Sequence, residues 1–273
     1  MMRVLKIESL DLPELQPYRT MRRPLEHREQ GIFVAEGEKV VRRLLESDFP
    51  VVSVLLPEKW IAEYEPIIAA RPEKEIPVFV VTAKNVLEQL VGFSMFQGVL
   101  AVGKIPKQPS LDEILERGPK PVLLTAVEGL TNAENLGAIV RNCAAFNTSA
   151  LIVGETSSSP FLRRAVRNSM GTIFQLPIVE SANLAETLRA IRSRNIRCVA
   201  AHPRGDGRKL SQADFTGDCC IVFGSEGSGI SPAILELCDE AVAIPMPPTI
   251  DSLNVGAAAA VFLYEANRQR ARA

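Results

Sequence analysis

Between residues 122 and 245 the chain carries six short apolar runs: "VLLTAV" (122–127), "ALIVG" (150–154), "FQLPIV" (174–179), "RCVAA" (197–201), "CCIVF" (219–223) and "AVAIP" (241–245). Stretches of helical periodicity fall at about 135–146, 160–169, 182–195, 231–237 and 252–270. A strand that is apolar all along its length must be covered on both faces, and parallel neighbours need crossovers long enough to hold a helix. The pattern therefore predicts an α/β unit: a mostly parallel sheet with helices on both faces.

The first third alternates on a smaller scale. Strands are expected at "GIFVA" (31–35), "VVSVLL" (51–56), "PVFVV" (77–81) and "GVLAVG" (98–103), with helices at 36–49, 57–70 and 83–90. Between the two patterns lies "KIPKQPSLDEILERGPKP", rich in Pro and Lys with only a short helical core. This is the natural linker, and it divides the chain into 1–104, a linker at 105–120, and 121–273.

Composition narrows the function classes. Of 273 residues, 47% are hydrophobic and 23% charged, enough to bury a core. The formal net charge of −1 leaves any nucleic-acid contact to local patches. The five cysteines, Cys143, Cys198, Cys219, Cys220 and Cys238, form no CxxC pair and read as small buried hydrophobes in a reducing compartment. No apolar run reaches the roughly 18 residues of a membrane span, and the start lacks a signal-peptide core, so a cytoplasmic location is expected. GxxxxGK[ST], HExxH and GxSxG are all absent from the sequence. With only His27 and His202 available, a histidine-centred triad or metal cluster has little material, and no metal site is expected.

Three segments carry the chemistry. "CCIVFGSEGSGISP" (219–232) reads as a strand, a glycine-rich turn and a helix start. Its glycines follow G-x-x-G-x-G rather than GxGxxG, and it comes late in the chain, which argues against a dinucleotide site. In "TNAENLGAIVRNCAAFN" (131–147), Asn135 is a candidate N-cap, Arg141 sits about two turns on, and Asn147 suits a left-handed helix terminus. Taken alone, Arg141 also reads as an ordinary solvated arginine. In "IPMPPTIDSLNVGAAAAVFLYEANRQR" (244–270), Ser252 is a candidate N-cap of a long helix that opens with small residues. Those small residues suit either close approach of a ligand or simple helix packing.

Taken in order, "NLGAIVRNCAAF", "FGSEGSGI" and "IPM…SLNV" resemble the motifs of the SpoU (TrmH-like) family of RNA 2′-O-ribose methyltransferases, within the SPOUT superfamily. The resemblance spans about residues 120–270 and includes "FLRRAVRNSMGTIFQLPI". More weakly, "REQGIFVAEGEKVVRRLLES" and "MFQGVLAV" resemble the ribosomal-protein-like RNA-binding domain that often precedes the catalytic one.

The resemblance implies a deep trefoil knot in the C-terminal sheet and S-adenosylmethionine as cofactor, held by Ala201, Gly224, Glu226, Gly229, Ile244 and Leu253. It implies catalytic or pocket-shaping roles for Asn135, Arg141, Glu226, Ser252 and Asn254. Arg141 is the family's proton acceptor or activator. Because a guanidinium is hard to deprotonate, a clamp on the RNA phosphate is the alternative. Asn132-Ala133, Asn147 and Gly256 depart from the family's usual Asp-Pro, Gly and Ser, and none of these changes removes a proposed catalytic group. The resemblance further implies a homodimer through the C-terminal domains, with the alanine-rich helix 256–266 as a candidate contact.

RNA contacts are expected from Arg22, Arg23, Arg28, Arg163, Arg164 and Arg167, with Arg42 and Arg43 equally readable as a solvated helix face. The separate N-terminal domain favours ribosomal over transfer RNA. A non-catalytic RNA-binding factor on the same fold is the rival reading.

Overall fold

The first element is one the alternation did not suggest. Met2–Ile7 (β1) is a strand in which only Ile7 is buried. Two short helices, Gln16–Arg19 (α1) and Pro24–Glu29 (α2), lead into Ile32–Glu36 (β2), buried at all five positions. Glu38–Leu45 (α3), Val51–Pro57 (β3), Ile61–Ala69 (α4), Ile76–Val81 (β4) and Leu100–Lys104 (β5) follow. This computed structural model describes residues 2–82, 98–203 and 208–271, so the helix expected at 83–90 lies outside the described residues.

The five strands form one sheet in the order β1-β4-β3-β5-β2. Strands β1, β4 and β3 run parallel, whereas β5 is antiparallel to both β3 and β2. Tyr18, Met21, Val34, Leu55, Phe79 and Val102 belong to one core cluster of this sheet. In α3 the apolar residues Val40, Val41, Leu44 and Leu45 fall on one buried stripe. Just past the end of α4, Arg71 donates to the carbonyls of Leu45 (3.0 Å) and Phe49 (2.8 Å) and pairs with Glu73 (2.7 Å).

The rest of the chain supplies Leu111–Arg117 (α5), Leu123–Val127 (β6), Ala133–Ala145 (α6), Ala150–Val153 (β7), Arg163–Asn168 (α7) and Ile178–Glu180 (β8). After these come Leu184–Arg192 (α8), Arg197–Ala201 (β9), Cys219–Phe223 (β10), Pro232–Leu235 (α9), Glu240–Val242 (β11) and Val255–Arg270 (α10). Strands β6 to β11 form a six-stranded sheet, β11-β9-β10-β6-β7-β8, parallel throughout. Along β6 and β10, Val122, Leu124, Ala126, Cys220 and Val222 share a core with Leu184, Leu188 and Ile191 of α8 and Ile234 of α9. Residues of the other parity meet other partners: Phe223 packs edge-on against Phe262 of α10, and Thr125 lies beside Cys143 of α6. Both faces are therefore covered, as a continuously apolar parallel sheet requires.

The chain divides into two units: residues 1–107 with 161–174, and residues 108–160 with 175–273. Helix α5, inside the expected linker, starts with a Ser110–Glu113 capping box and buries Ile114 and Leu115 in the second unit. Residues 161–174 fold with the first unit although the motif pattern places them among catalytic residues. Phe161 and Phe174 pack on Phe33 at centroid distances of 5.8 and 5.5 Å, and Phe174 lies 5.3 Å from Phe49. The strand expected at 174–179 accordingly starts later, at Ile178, because Thr172–Phe174 is a 3-10 turn carrying Phe174 into that cluster.

Candidate active site

Strand β10 ends at Phe223, and the chain turns back within six residues. Ser225 and Gly229 exchange both backbone hydrogen bonds at 3.0 Å, leaving Glu226, Gly227 and Ser228 at an exposed tip. Gly224 is required here: a Cβ on it would stand 2.1 Å from the carbonyl carbon of Gly229. Gly229 has φ +68°, a conformation glycine adopts at no steric cost. Beneath the turn, the Glu128 carboxylate accepts from the Ser231 N–H (2.8 Å) and hydroxyl (2.6 Å), fixing the point where α9 begins.

This turn forms one wall of a cavity of about 400 Å³, within the range of small-molecule sites. The end of β9 contributes Ala201, His202 and Pro203. The segment after β11 contributes Ile244 and Met246, and the approach to α10 contributes Asp251, Ser252 and Leu253. Val255, Ala258 and Phe262 of α10 line it too. The result is an apolar floor under a rim of backbone amides, hydroxyls and the carboxylates of Glu226 and Asp251. Such a site suits a flat apolar ring joined to a cationic group.

Every residue expected to bind a cofactor (Ala201, Gly224, Glu226, Gly229, Ile244 and Leu253) lines this cavity, as does Ser252. Asn254 and Asn135 lie outside the lining but are joined to each other. The Asn254 Oδ1 accepts from the Gly256 N–H (2.9 Å) and the Ala257 N–H (3.3 Å), so its Nδ2 must face the other way. That Nδ2 donates to the Asn135 Oδ1 at 3.0 Å. Asn254, not Ser252, is therefore the N-cap of α10. Likewise Asn132, not Asn135, caps α6, its Oδ1 accepting from the Glu134 N–H at 2.8 Å and the Asn135 N–H at 3.3 Å. In both cases the cap is displaced because a second asparagine or serine nearby offers the same chemistry. Asn147 takes the left-handed conformation, φ 56°, after the end of α6.

Arg141 is exposed on α6, does not line the cavity, and makes no hydrogen bond or ion pair among the described residues. Gly256, where the family usually has Ser, is buried. A Cβ there would lie 3.1 Å from the Ala138 Cβ, so this glycine lets α10 and α6 approach closely.

The arginines proposed for RNA divide into groups. In the first unit Glu36, only 2% exposed, pairs with both Arg163 and Arg167, the latter at 2.8 Å. Arg43 donates to the Met170 carbonyl at 2.6 Å, Arg42 pairs with Glu63, and Arg23 pairs with Glu26 at 3.1 Å. Arg28 and Arg164 are exposed and hold no ion pair among the described residues, and Arg22 is exposed six positions before Arg28. The thiols are all free, and burial pushes Cys143 up to about 11 and Cys238 up to about 12, leaving them protonated and unreactive. Among the described residues there is no group of three or more His, Cys, Asp or Glu suited to a metal ion, and no helix is long and apolar enough to cross a membrane.

Sequence reasoning did not single out His202, Met246, Asp251 or Phe262 as site residues, nor Glu128 as the anchor of the turn. Asp251 directly precedes "SLNV" and Met246 lies in "IPM", so the signal was adjacency to the motifs. Phe262 comes from the middle of α10, where only tertiary packing reveals its role.

The cavity sits at the strand ends of a parallel α/β sheet, as methyl-donor and nucleotide sites in such sheets do. Residues 123–264 match the SpoU rRNA Methylase family, and the chain belongs to it. Over 265 residues it is 32% identical to an uncharacterized tRNA/rRNA methyltransferase of Mycobacterium bovis, covering 94% of this chain and 90% of that protein. It is 35% identical over 177 residues to the 23S rRNA (guanosine-2′-O-)-methyltransferase RlmB of Vibrio parahaemolyticus, covering 64% of this chain and 71% of RlmB. The SpoU methyltransferase AviRb of Streptomyces viridochromogenes, solved in complex with AdoMet, superposes with a TM-score of 0.81 at 27% identity, covering 95% of this chain and 98% of AviRb.

Proposed function

We propose that the protein transfers a methyl group from S-adenosylmethionine to a ribose 2′-hydroxyl of structured RNA, with ribosomal RNA favoured over transfer RNA. The observation that carries the reading is the cavity, which is lined by all six residues that the family resemblance assigns to the cofactor. Its donor set fits the cofactor. Ile244, Leu253 and Met246 offer apolar walls to an adenine, turn amides offer hydrogen bonds, and Glu226 and Asp251 offer negative charge to the sulfonium and ammonium. The bound cofactor would supply an electrophilic methyl for in-line displacement.

The chain's own residues then position the acceptor. Asn135, held by Asn254, keeps its Nδ2 available to a ribose or phosphate oxygen. Arg141, solvated and without a partner among the described residues, reaches the same substrate as a phosphate clamp or as the group that takes up the hydroxyl proton. Phosphates are steered by exposed arginines, Arg22, Arg28 and Arg164 among them. Val261 and Tyr264, exposed on α10 at 40% and 56%, support a homodimer through the C-terminal unit. The knot implied by the motifs and a cytoplasmic location complete the proposal.

Mapping 2′-O-methyl positions in total RNA with and without the gene tests it: one ribose should lose its methyl group in the deletion strain. Cofactor binding with no such position would favour the non-catalytic reading. RNA affinity should fall with rising salt, and Arg164→Ala should lower the slope of log K against log salt by about 1.

A further inference from the structure

Helices α6 and α10 are held together at three successive levels. At the top, Asn254 donates to Asn135 at 3.0 Å. Below it, Gly256 faces Ala138 with no room for an unstrained Cβ. Below that, the Asn142 Nδ2 donates to the Gly256 carbonyl at 2.7 Å. The last contact is polar, directional and half-buried. A carbonyl oxygen only accepts, so the amide orientation of Asn142 is fixed by its partner. The two helices carry different parts of the site: α6 bears Asn135 and Arg141, whereas α10 lines the cavity through Val255, Ala258 and Phe262.

We propose that Asn142 is a positioning residue, whose bond to the Gly256 carbonyl sets the register between the acceptor-binding helix α6 and the cofactor-lining helix α10. It does not line the cavity at the strand ends and acts through Gly256 and its neighbour Arg141. The close approach at Gly256 is what lets a short asparagine side chain span the helix pair. The inference rests on the methyltransferase reading above.

The test uses the full-length protein with Asn142→Ala and Asn142→Asp. S-adenosylmethionine affinity is measured by calorimetry, RNA methylation by kcat and KM, and folding by thermal melting. A misplacement of about 1 Å between reacting groups costs on the order of 100-fold in rate, so kcat should fall roughly 10- to 100-fold while cofactor Kd stays within about threefold. The aspartate, matched in size, loses the donor and turns a carboxylate toward a carbonyl, so it should be at least as slow as the alanine variant. Its kcat relative to the unsubstituted protein should rise as pH falls, because a protonated carboxyl donates again. Near-normal turnover by either variant overturns the proposal. So does a parallel loss of cofactor binding, or failure of both variants to fold, since Asn142 would then be structural. If the unsubstituted protein methylates no RNA, the underlying reading fails instead.

Discussion

A side chain on Gly224 has nowhere to go, because the carbonyl carbon of Gly229 stands 2.1 Å from where its Cβ would lie. The two residues lie at either end of the turn that walls the cavity, so the clash is backbone against backbone and no rotamer relieves it. Gly224→Ala should therefore destabilise the fold by at least about 2 kcal/mol, as overpacking does. It should also weaken S-adenosylmethionine binding more than tenfold. Thermal melting and calorimetry read both effects. An alanine variant with unchanged affinity would show that the turn does not form the cofactor wall.

Arg141 lies off the cavity, which separates its two possible effects. Arg141→Ala should abolish methyl transfer while leaving the cofactor dissociation constant within about twofold, since no cavity-lining atom is removed. Arg141→Lys distinguishes the roles. A phosphate clamp tolerates a point charge in part, whereas a bidentate or proton-handling guanidinium does not.

Glu36 predicts a split between two arginines. Replacing it with Ala strands Arg163 and Arg167 around a buried position, and breaking such a pair from one side costs about 3 to 5 kcal/mol. Arg163→Ala, at a side chain 17% exposed, should destabilise more than Arg167→Ala, at 53%. Urea denaturation orders the three variants. The reverse order for the arginines would mean that the solvent-side contact dominates.

Acid should loosen the first unit through Glu73. Burial alone would raise its pKa, but the Arg71 guanidinium and the Val51 N–H hold the carboxylate down at about 2, from an ordinary 4.5. The folded-state value is the lower one, so the stabilisation is present above pH 4.5 and disappears as pH falls from there toward 2. Screening by solvent at this partly exposed pair keeps its contribution to stability below the full value of that shift. In Glu73→Gln this component of the acid-induced loss should be absent when stability is followed across that window.

The C-terminal sheet was legible because its inner strands β6, β7 and β10 are apolar or buried along their whole length, a pattern that parallel sheets produce and few other structures do. The cavity was legible for a different reason: its walls come largely from two motifs with fixed internal spacing, "FGSEGSGI" and "IPM…SLNV", whereas "NLGAIVRNCAAF" lies outside the lining. β1 was missed because an edge strand with a single buried residue leaves almost no hydrophobic signature. The caps of α6 and α10 were misplaced by two or three residues, since Asn132, Asn135, Ser252 and Asn254 are all competent and only the folded backbone selects among them. Nor could local pattern show that Arg163 and Arg167, read as RNA contacts of the 121–273 domain, pair with a carboxylate more than 120 positions earlier.

That last pairing bears on how the molecule can be dissected. A fragment beginning at residue 108 would carry every motif of the methyltransferase, yet it would leave Phe161 and Phe174 without Phe33 and Phe49, and two arginines without Glu36. The boundary drawn by the motifs is thus not a seam along which the protein comes apart. Gene fusions, truncations or domain exchanges in this family member must carry residues 161–174 together with the first hundred or leave a sticky, unpaired strap behind.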